Sequence, residues 1–521
     1  MNKNMKNKIF FIIVLFLIFN NIPKQLQMPF ISGILLNKLV FYPIFSGLVY
    51  TLYCQYKYKN IFINFERFYN FIFVYVGGIC VSSFAAFYTY PYYDLVLNAP
   101  VIQIDKLSKV LSLLNSFGIN TNEKIMTQLW MFVRAMKGVL FDTVYTFGVA
   151  YMIYCWYYND WKKGFDILIK AVFASLAVVF FYSLIEVFYL AGNENAKNIL
   201  EIITPYFHTI KSGYDWWPVL LQVGQLRSIF AEPSYYGIYF SFAMPILWFV
   251  LFTVNKKKYT FLMAFLIISY SFGVFLTQAR TAVALFLGEI VILIFLIIYL
   301  KNKELIKRLV FLFGCCIFAF ALSNIFISNY IQAQKVNNYF EKNLFSLAST
   351  NKRSNGARYS IMLADFKIGV NNPIVGVGAG LRSSYIPDYL PEMANDNKEI
   401  KMWISHQQEK GILKSGYPKL GEYTSRFAET GFVGLSLFLL PLFILLYKLI
   451  KIIKSKVIEV KNKLPYVFIA ISLIGMFASG IGDSISITYC YWVLLGLGYA
   501  MCFGKDNNVE LNGDTGDKQK H

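Results

Sequence analysis

The chain alternates long apolar runs with short basic segments. A bilayer core takes roughly 17–25 mostly apolar residues per helix. Twelve stretches meet or approach that length: 9–22, 39–55, 68–90, 138–158, 165–191, 234–254, 260–279, 281–300, 309–328, 431–450, 464–482 and 485–503. The first two are the weakest, because Lys38 and the polar stretch 20–28 crowd them. Three connections are long, at 91–137, 192–233 and 329–430, and all three fall on one side of the alternation. The pattern predicts an all-α fold: a polytopic membrane helix bundle of about twelve spans with a large extracytoplasmic loop.

Charge sets the orientation. With the N-terminus placed in the cytoplasm, the short inside segments carry 24 Lys and Arg. The outside segments, apart from the longest, carry 11 over more residues. Basic residues accumulate on the cytoplasmic side, and long loops translocate regardless of charge. Both termini are therefore expected inside. Lys3, Lys6 and Lys8 precede an apolar run from Ile9 to Phe19, and no small-residue cleavage site follows, so the start reads as an uncleaved signal anchor.

The expected organisation has four parts. Residues 1–328 form a transmembrane bundle of nine spans with outside loops 91–137 and 192–233. Residues 329–430 form the large loop, 431–503 the last three spans, and 504–521 a disordered cytoplasmic tail. The first outside loop holds an amphipathic stripe, Ile104, Leu107, Val110, Leu111 and Leu114, suited to the membrane interface. The large loop carries apolar residues, aromatics and Gly-Pro punctuation, and is expected to fold onto the bundle.

Composition narrows the function. Of 521 residues, 57% are hydrophobic and 15% charged, too few polar residues to cover a soluble core of that size. The net charge of +20 invites a nucleic-acid reading. Most of that charge lies at the ends of apolar segments, and no basic stripe is interleaved with surface aromatics, so no nucleic-acid partner is expected. All seven cysteines fall in or beside apolar runs, which implies no disulfide framework. With three His, no CxxC and no DxD, neither a metal nor a cofactor is expected.

Five short runs stand out in order. RSIFAEPSYYG at 227–237 precedes a span, and TQART at 277–281 turns between two. NGARY at 355–359 and NPIVGVGAG at 372–380 lie in the large loop, and YTSRFAETGFVGL at 423–435 enters the next span. This order, on this topology, resembles the O-antigen polymerase and ligase superfamily (Wzy-type polymerases and relatives) over roughly residues 220–440. The resemblance implies a GT-C-like helical fold and a metal-independent glycosyltransferase of the bacterial cytoplasmic membrane. Its substrate would be an undecaprenyl-diphosphate-linked oligosaccharide, handled at the outer face beside membrane lipid, with a chain-length regulator and a flippase as partners. Polymerases pass the growing glycan to the next lipid-linked unit. Ligases and protein O-oligosaccharyltransferases pass it to another acceptor. Ligases of the family typically carry a His near the end of the large loop; here 421–431 reads GEYTSRFAETG without one, which favours the polymerase.

The donor sugar must lose a dianionic leaving group. Without a metal, guanidinium groups supply the fixed, bidentate positive charge. Arg227 and Arg280 are the expected catalytic clamps, since outside basic residues run against the charge trend. Arg358, Arg426, Ser234, Tyr235, Gly378 and Tyr423 form the expected substrate-binding set. Glu232 is the first candidate for general base. Pro233 would open a helix, placing Glu232 at its N-cap, where a plain capping role competes. Glu429, three residues after Arg426, is expected to pair with it along the helix. His406 reads as a surface loop histidine, and Arg382 as an interfacial anchor.

Glu289 sits inside a span, where a charge is costly, and is read as structural within the bundle. GVGAG at 376–380 is a flexible turn after Pro373, or a place where backbone approaches a headgroup. The βαβ context of a dinucleotide site and the pore helix of a selectivity filter are both missing from the pattern. The outside aromatics, Trp216 and Trp217 among them, suit sugar stacking and an interfacial belt equally. A flippase or other transporter is the remaining class. It would place polar residues at midplane, whereas here the polar candidates concentrate outside; Glu289 and Lys170 run against this, and Lys170 lies near an inner end.

Overall fold

The structure, a computed structural model, describes residues 3–27, 37–57, 65–119, 121–208, 224–331, 353–485 and 488–505. Trp216 and Trp217 lie outside the described residues, as does the tail beyond 505.

The described residues are helical throughout their regular elements. In chain order these are α1 Lys3–Phe16, α2 Phe41–Lys57, α3 Phe65–Tyr88, α4 Tyr93–Leu97, α5 Leu107–Ser116, α6 Glu123–Tyr145, α7 Phe147–Tyr157, α8 Trp161–Leu190 and α9 Glu194–Phe207. There follow α10 Pro233–Thr253, α11 Lys257–Leu276, α12 Arg280–Tyr299, α13 Lys303–Tyr330, α14 Arg353–Asn371, α15 Arg382–Tyr389, α16 Lys398–Lys410, α17 Glu422–Lys454, α18 Val460–Ser479 and α19 Tyr489–Phe503. The chain is a multi-pass helical membrane protein.

Each of the twelve expected spans contains a helix. Among the described residues, however, nine helical segments are long and apolar enough to cross a bilayer. α1, α2 and α19 have 14, 17 and 15 residues and fall short. Two boundaries also move. α17 begins at Glu422, inside the stretch expected to be loop, and α6 begins at Glu123, well before 138. Both starts are polar, so hydropathy does not see them. The stripe in the first outside loop forms α5, a separate amphipathic helix.

α10 runs through the centre of the bundle. Nearly every residue from Tyr236 to Trp248 is buried, so the helix is apolar all round, as an interior helix must be. Gly237 meets α12 at Ala282; a Cβ there would lie 2.2 Å from the Ala282 Cβ. That close approach brings the first turns of α10 and α12 together at one end of the bundle.

α17 is two helices joined at Gly431, whose φ of 61° and ψ of −166° interrupt the spiral. A break at membrane depth frees backbone groups that must find partners. The GVGAG loop supplies them. Val377 N donates to Ala428 O at 2.9 Å and Gly378 N to Glu429 O at 3.0 Å. Phe432 N donates to Pro373 O at 2.7 Å and Val433 N to Ile374 O at 3.2 Å. Gly376 and Gly378 hold φ of 70° and 96° to make this fit. The expectation that Gly378 lets backbone approach a headgroup is corrected: its backbone is spent on the helix break, and a Cβ there would press on Ala86 at 2.8 Å.

The described part of the large loop packs against the first outside loop. Gln103 Nε2 donates to Lys410 O at 2.8 Å, while Leu413 N donates to Gln103 Oε1 at 2.9 Å. Tyr90 bonds Ser384 at 2.5 Å, Tyr92 bonds Asp388, and Lys414 pairs with Asp105 at 2.7 Å. Arg382 is not an interfacial anchor. It is buried within the loop, pairs with Asp365, and donates to the carbonyls of Tyr417 and Pro418 at 3.3 and 2.9 Å. A guanidinium with three loop partners fixes the loop's internal shape.

Candidate functional site: a cationic recess at one end of the bundle

Two turns are clipped side by side. Leu226 N donates to Leu276 O at 3.0 Å, and Gln278 Nε2 donates to Gly224 O at 2.8 Å. Gln278 takes a left-handed φ of 50°, which ends α11 sharply and starts α12 at Arg280. Residues 224–232 therefore run beside the α11–α12 turn. Arg280 stands at the first position of α12 and Glu232 at the N-cap of α10.

The start of α14 completes the recess. Arg358 donates from Nη1 to the Gly482 carbonyl, in the α18–α19 turn, at 2.5 Å. Its guanidinium lies within electrostatic reach of Arg280, Glu232 and Asp483. Glu232 does not cap α10 with its side chain. Its carboxylate instead accepts from the Ser234 hydroxyl at 3.5 Å and faces Arg358. It keeps accessible surface while protein closes around it. That partial desolvation raises its pKa above the usual carboxylate value, Arg358 opposes the rise, and Asp483 adds to it. Tyr235 shares the neighbourhood of Asp483, Glu232 and Arg358.

Two members were not foreseen. Asp483 is held by the Ser484 amide at 2.7 Å, and burial pushes its pKa up against Arg358 and Lys38. Lys38 interacts with Asp483, and burial lowers its pKa to about 8. Both signals were present in the sequence, since Lys38 is an outside lysine and Asp483 a lone carboxylate in an outside turn. The sequence counts Lys38 among the outside basic residues and as a charge crowding a weak span, without a site role. Among the described residues the recess gathers three cations, Lys38, Arg280 and Arg358, and two carboxylates, Glu232 and Asp483. A surplus of fixed positive charge in a low-dielectric hollow favours an anionic ligand.

The other expected residues lie elsewhere. Arg227 is buried beneath the lip at 1% exposure, which corrects its reading as a clamp open to a headgroup. Its amide and that of Ser228 donate to the Glu186 carboxylate at 3.1 and 2.5 Å, with Ser228 at a φ of 55°. This carboxylate capture shapes the turn that carries Glu232. His208 lies beside Arg227, and burial with that neighbouring charge lowers its pKa to about 3.

Arg426 is also corrected. Its partners are Glu422, Asp142 at 2.9 Å and Tyr75 at 3.1 Å, and its guanidinium lies 3.8 Å over the Phe438 ring. Glu422 in turn accepts from Ser484 at 2.7 Å. Each guanidinium nitrogen has a protein partner, and one face lies on an aromatic ring. The expected Arg426–Glu429 pair does not form, because Glu429 pairs with Lys419 at 2.8 Å. Tyr423 donates its hydroxyl to Phe477 O at 2.5 Å, a contact between α17 and α18. Glu289 is buried against Ser241, in the hollow left by Gly475. His406 is a half-buried residue of α16.

With this geometry in place, comparison with known families is informative. Residues 263–439 match the family model described as O-antigen ligase, which places that stretch in the O-antigen polymerase and ligase superfamily. Four of the five sequence runs fall inside the match, and the run at 227–237 precedes it. No curated protein matches the chain.

Proposed function

We propose that the protein is a polysaccharide polymerase, transferring the growing glycan from undecaprenyl diphosphate to the next lipid-linked repeat unit at the outer face of the bacterial cytoplasmic membrane. The observation that carries this reading is the juxtaposition of Arg280 and Arg358 with Glu232 in one recess. Glu232 takes the proton from the acceptor hydroxyl as its oxygen bonds to the anomeric carbon. The bond from that carbon to the diphosphate oxygen breaks on the opposite side, and the electron pair leaves with the diphosphate. Arg280 and Arg358 hold the departing oxygens, supported by Lys38. The anomeric centre inverts. Ser234 and Tyr235 flank Glu232 and face the acceptor.

The orientation follows from charge. Lys6 reaches the carbonyl of Trp156 at the end of α7, and Lys505 N donates to Tyr158 O. Lys6 and Lys505 thus share the end of the bundle opposite the recess, which supports cytoplasmic termini. A flippase and a chain-length regulator would act on either side of this reaction.

A ligase reading is favoured by the family description. The lack of a His in 421–431 supports the polymerase. Deletion separates them. Loss of a polymerase leaves surface glycans capped by one repeat unit, whereas loss of a ligase leaves polymerised glycan on its carrier. Stranding of single units on the cytoplasmic side would instead point to a flippase. For the site itself, purified full-length protein given a lipid-linked repeat unit should build a ladder of products. Normal ladders from both Arg280→Ala and Arg358→Ala would overturn the phosphate-binding assignment.

A further inference from the structure

A large cavity lies at the other end of the bundle. Between Leu440 and Ser455, α17 stands away from α3, α7 and α19, leaving a groove of about 1250 Å³. That exceeds the roughly 300–1,000 Å³ of ordinary small-molecule sites. Its walls are aromatic and aliphatic: Phe68 stacks on Tyr151 at 4.0 Å, and Tyr499 bonds the Pro441 carbonyl at 2.7 Å. At its rim stand Arg67, Lys448, Lys451 and Lys454, with no acidic residue in the lining. Among the described residues none of these four forms a salt bridge. Lys448 is held 5.4 Å over the Phe503 ring, so one cation is aimed across the groove.

We infer that this groove is a binding site for an anionic phospholipid, its phosphate among Arg67, Lys448, Lys451 and Lys454 and its acyl chains along the aromatic wall. Charge complementarity argues for the headgroup. Four uncompensated cations around an apolar slot would repel each other when empty, and an acidic headgroup relieves that cost. Simple snorkelling places lysines at a helix end but does not explain a cavity lined without a single carboxylate. Because Arg67 begins α3 and the lysines end α17, the site lies away from the glycan recess and is independent of the polymerase reading.

Native mass spectrometry of the full-length protein tests this, with phosphatidylglycerol or phosphatidylcholine of matched acyl chains as probes. Retention of phosphatidylglycerol should exceed that of phosphatidylcholine by about tenfold or more. Replacing Lys448, Lys451 and Lys454 together by Ala should abolish that preference. Replacing Lys256, Lys257 and Lys258, three exposed cations at the same end of the bundle, should leave it intact. Ile444→Trp, which fills the groove from an exposed wall position without changing charge, should lower retention of both lipids. Equal retention of the two lipids, loss of preference in both lysine variants, or full retention in Ile444→Trp would overturn the site. Stronger retention of undecaprenyl phosphate than of phosphatidylglycerol would overturn the choice of occupant.

Discussion

Arg358 and Gly482 are 124 residues apart in sequence, yet the arginine's Nη1 rests 2.5 Å from the glycine's carbonyl oxygen. That bond ties the large loop to the α18–α19 turn and holds the Arg358 guanidinium beside Arg280 and Glu232. Most consequences for activity follow from it.

Removing either cation of the recess should cost transition-state charge stabilisation. Arg280→Ala and Arg358→Ala should each lower turnover by about 10²–10³-fold, the usual loss for one such donor. Arg280→Lys should recover only part, since an ammonium lacks the planar fork. Single-turnover assays with a lipid-linked repeat unit measure this, alongside membrane insertion, which should be unchanged.

Glu232 as base gives the rate an acid limb. The carboxylate must be ionised, so activity rises with pH through its pKa, which burial sets above the ordinary value. Arg358 holds that pKa down. In Arg358→Ala the residual activity should therefore have its acid limb at higher pH. Glu232→Gln should remove the limb along with most of the rate. An acid limb at the same pH in both Arg358→Ala and wild type would exclude Glu232 as the group observed.

Lys38 predicts an alkaline limb. Its pKa is lowered to about 8, so its charge is lost as pH rises through that value, and with it part of the attraction for diphosphate. Donor affinity should weaken above about pH 8, and Lys38→Met should be weak at every pH. Donor binding measured by titration across pH 6.5–9.5 reads this directly.

Arg426 should behave as a stability residue. Arg426→Ala leaves Glu422, 4% exposed, without its cation, and breaking such a pair costs about 3–5 kcal/mol. Thermal unfolding in detergent should show a large loss. A variant that unfolds normally but no longer makes polymer would return Arg426 to the substrate site.

Gly431→Ala tests the broken helix. A Cβ there would lie 2.3 Å from the Ile374 carbonyl oxygen, at a φ of 61°. Strain of this kind costs about 1–3 kcal/mol before the clash is counted. Limited proteolysis should show the segment around 373–378 released from α17.

The bundle was legible because membrane insertion is a local matter. Each span buries its own backbone hydrogen bonds, so hydropathy over about twenty residues suffices to find it. Orientation follows from local charge, and the five motif runs point to a superfamily without any contact being known. What hydropathy missed were polar extensions: Glu422–Thr430, which is mostly buried by the rest of the chain, and Glu123–Lys137, a mostly exposed or half-buried helical extension before its span.

The roles of the arginines were decided by packing. Arg280, Arg358 and Arg426 look alike in sequence: each is a cation expected on the outside face, in a motif. What a guanidinium binds depends on which carboxylates lie beside it, and these come from distant segments as well as from the next turn. Asp142 on α6 and Glu422, one turn back on α17, engage Arg426, while Arg280 and Arg358 lie within reach of each other. The sequence by itself determined that charge would collect at this membrane face. Only the tertiary structure decided which of those charges gather in one place, because electrostatic pairing acts over a few ångströms in space and is blind to distance along the chain.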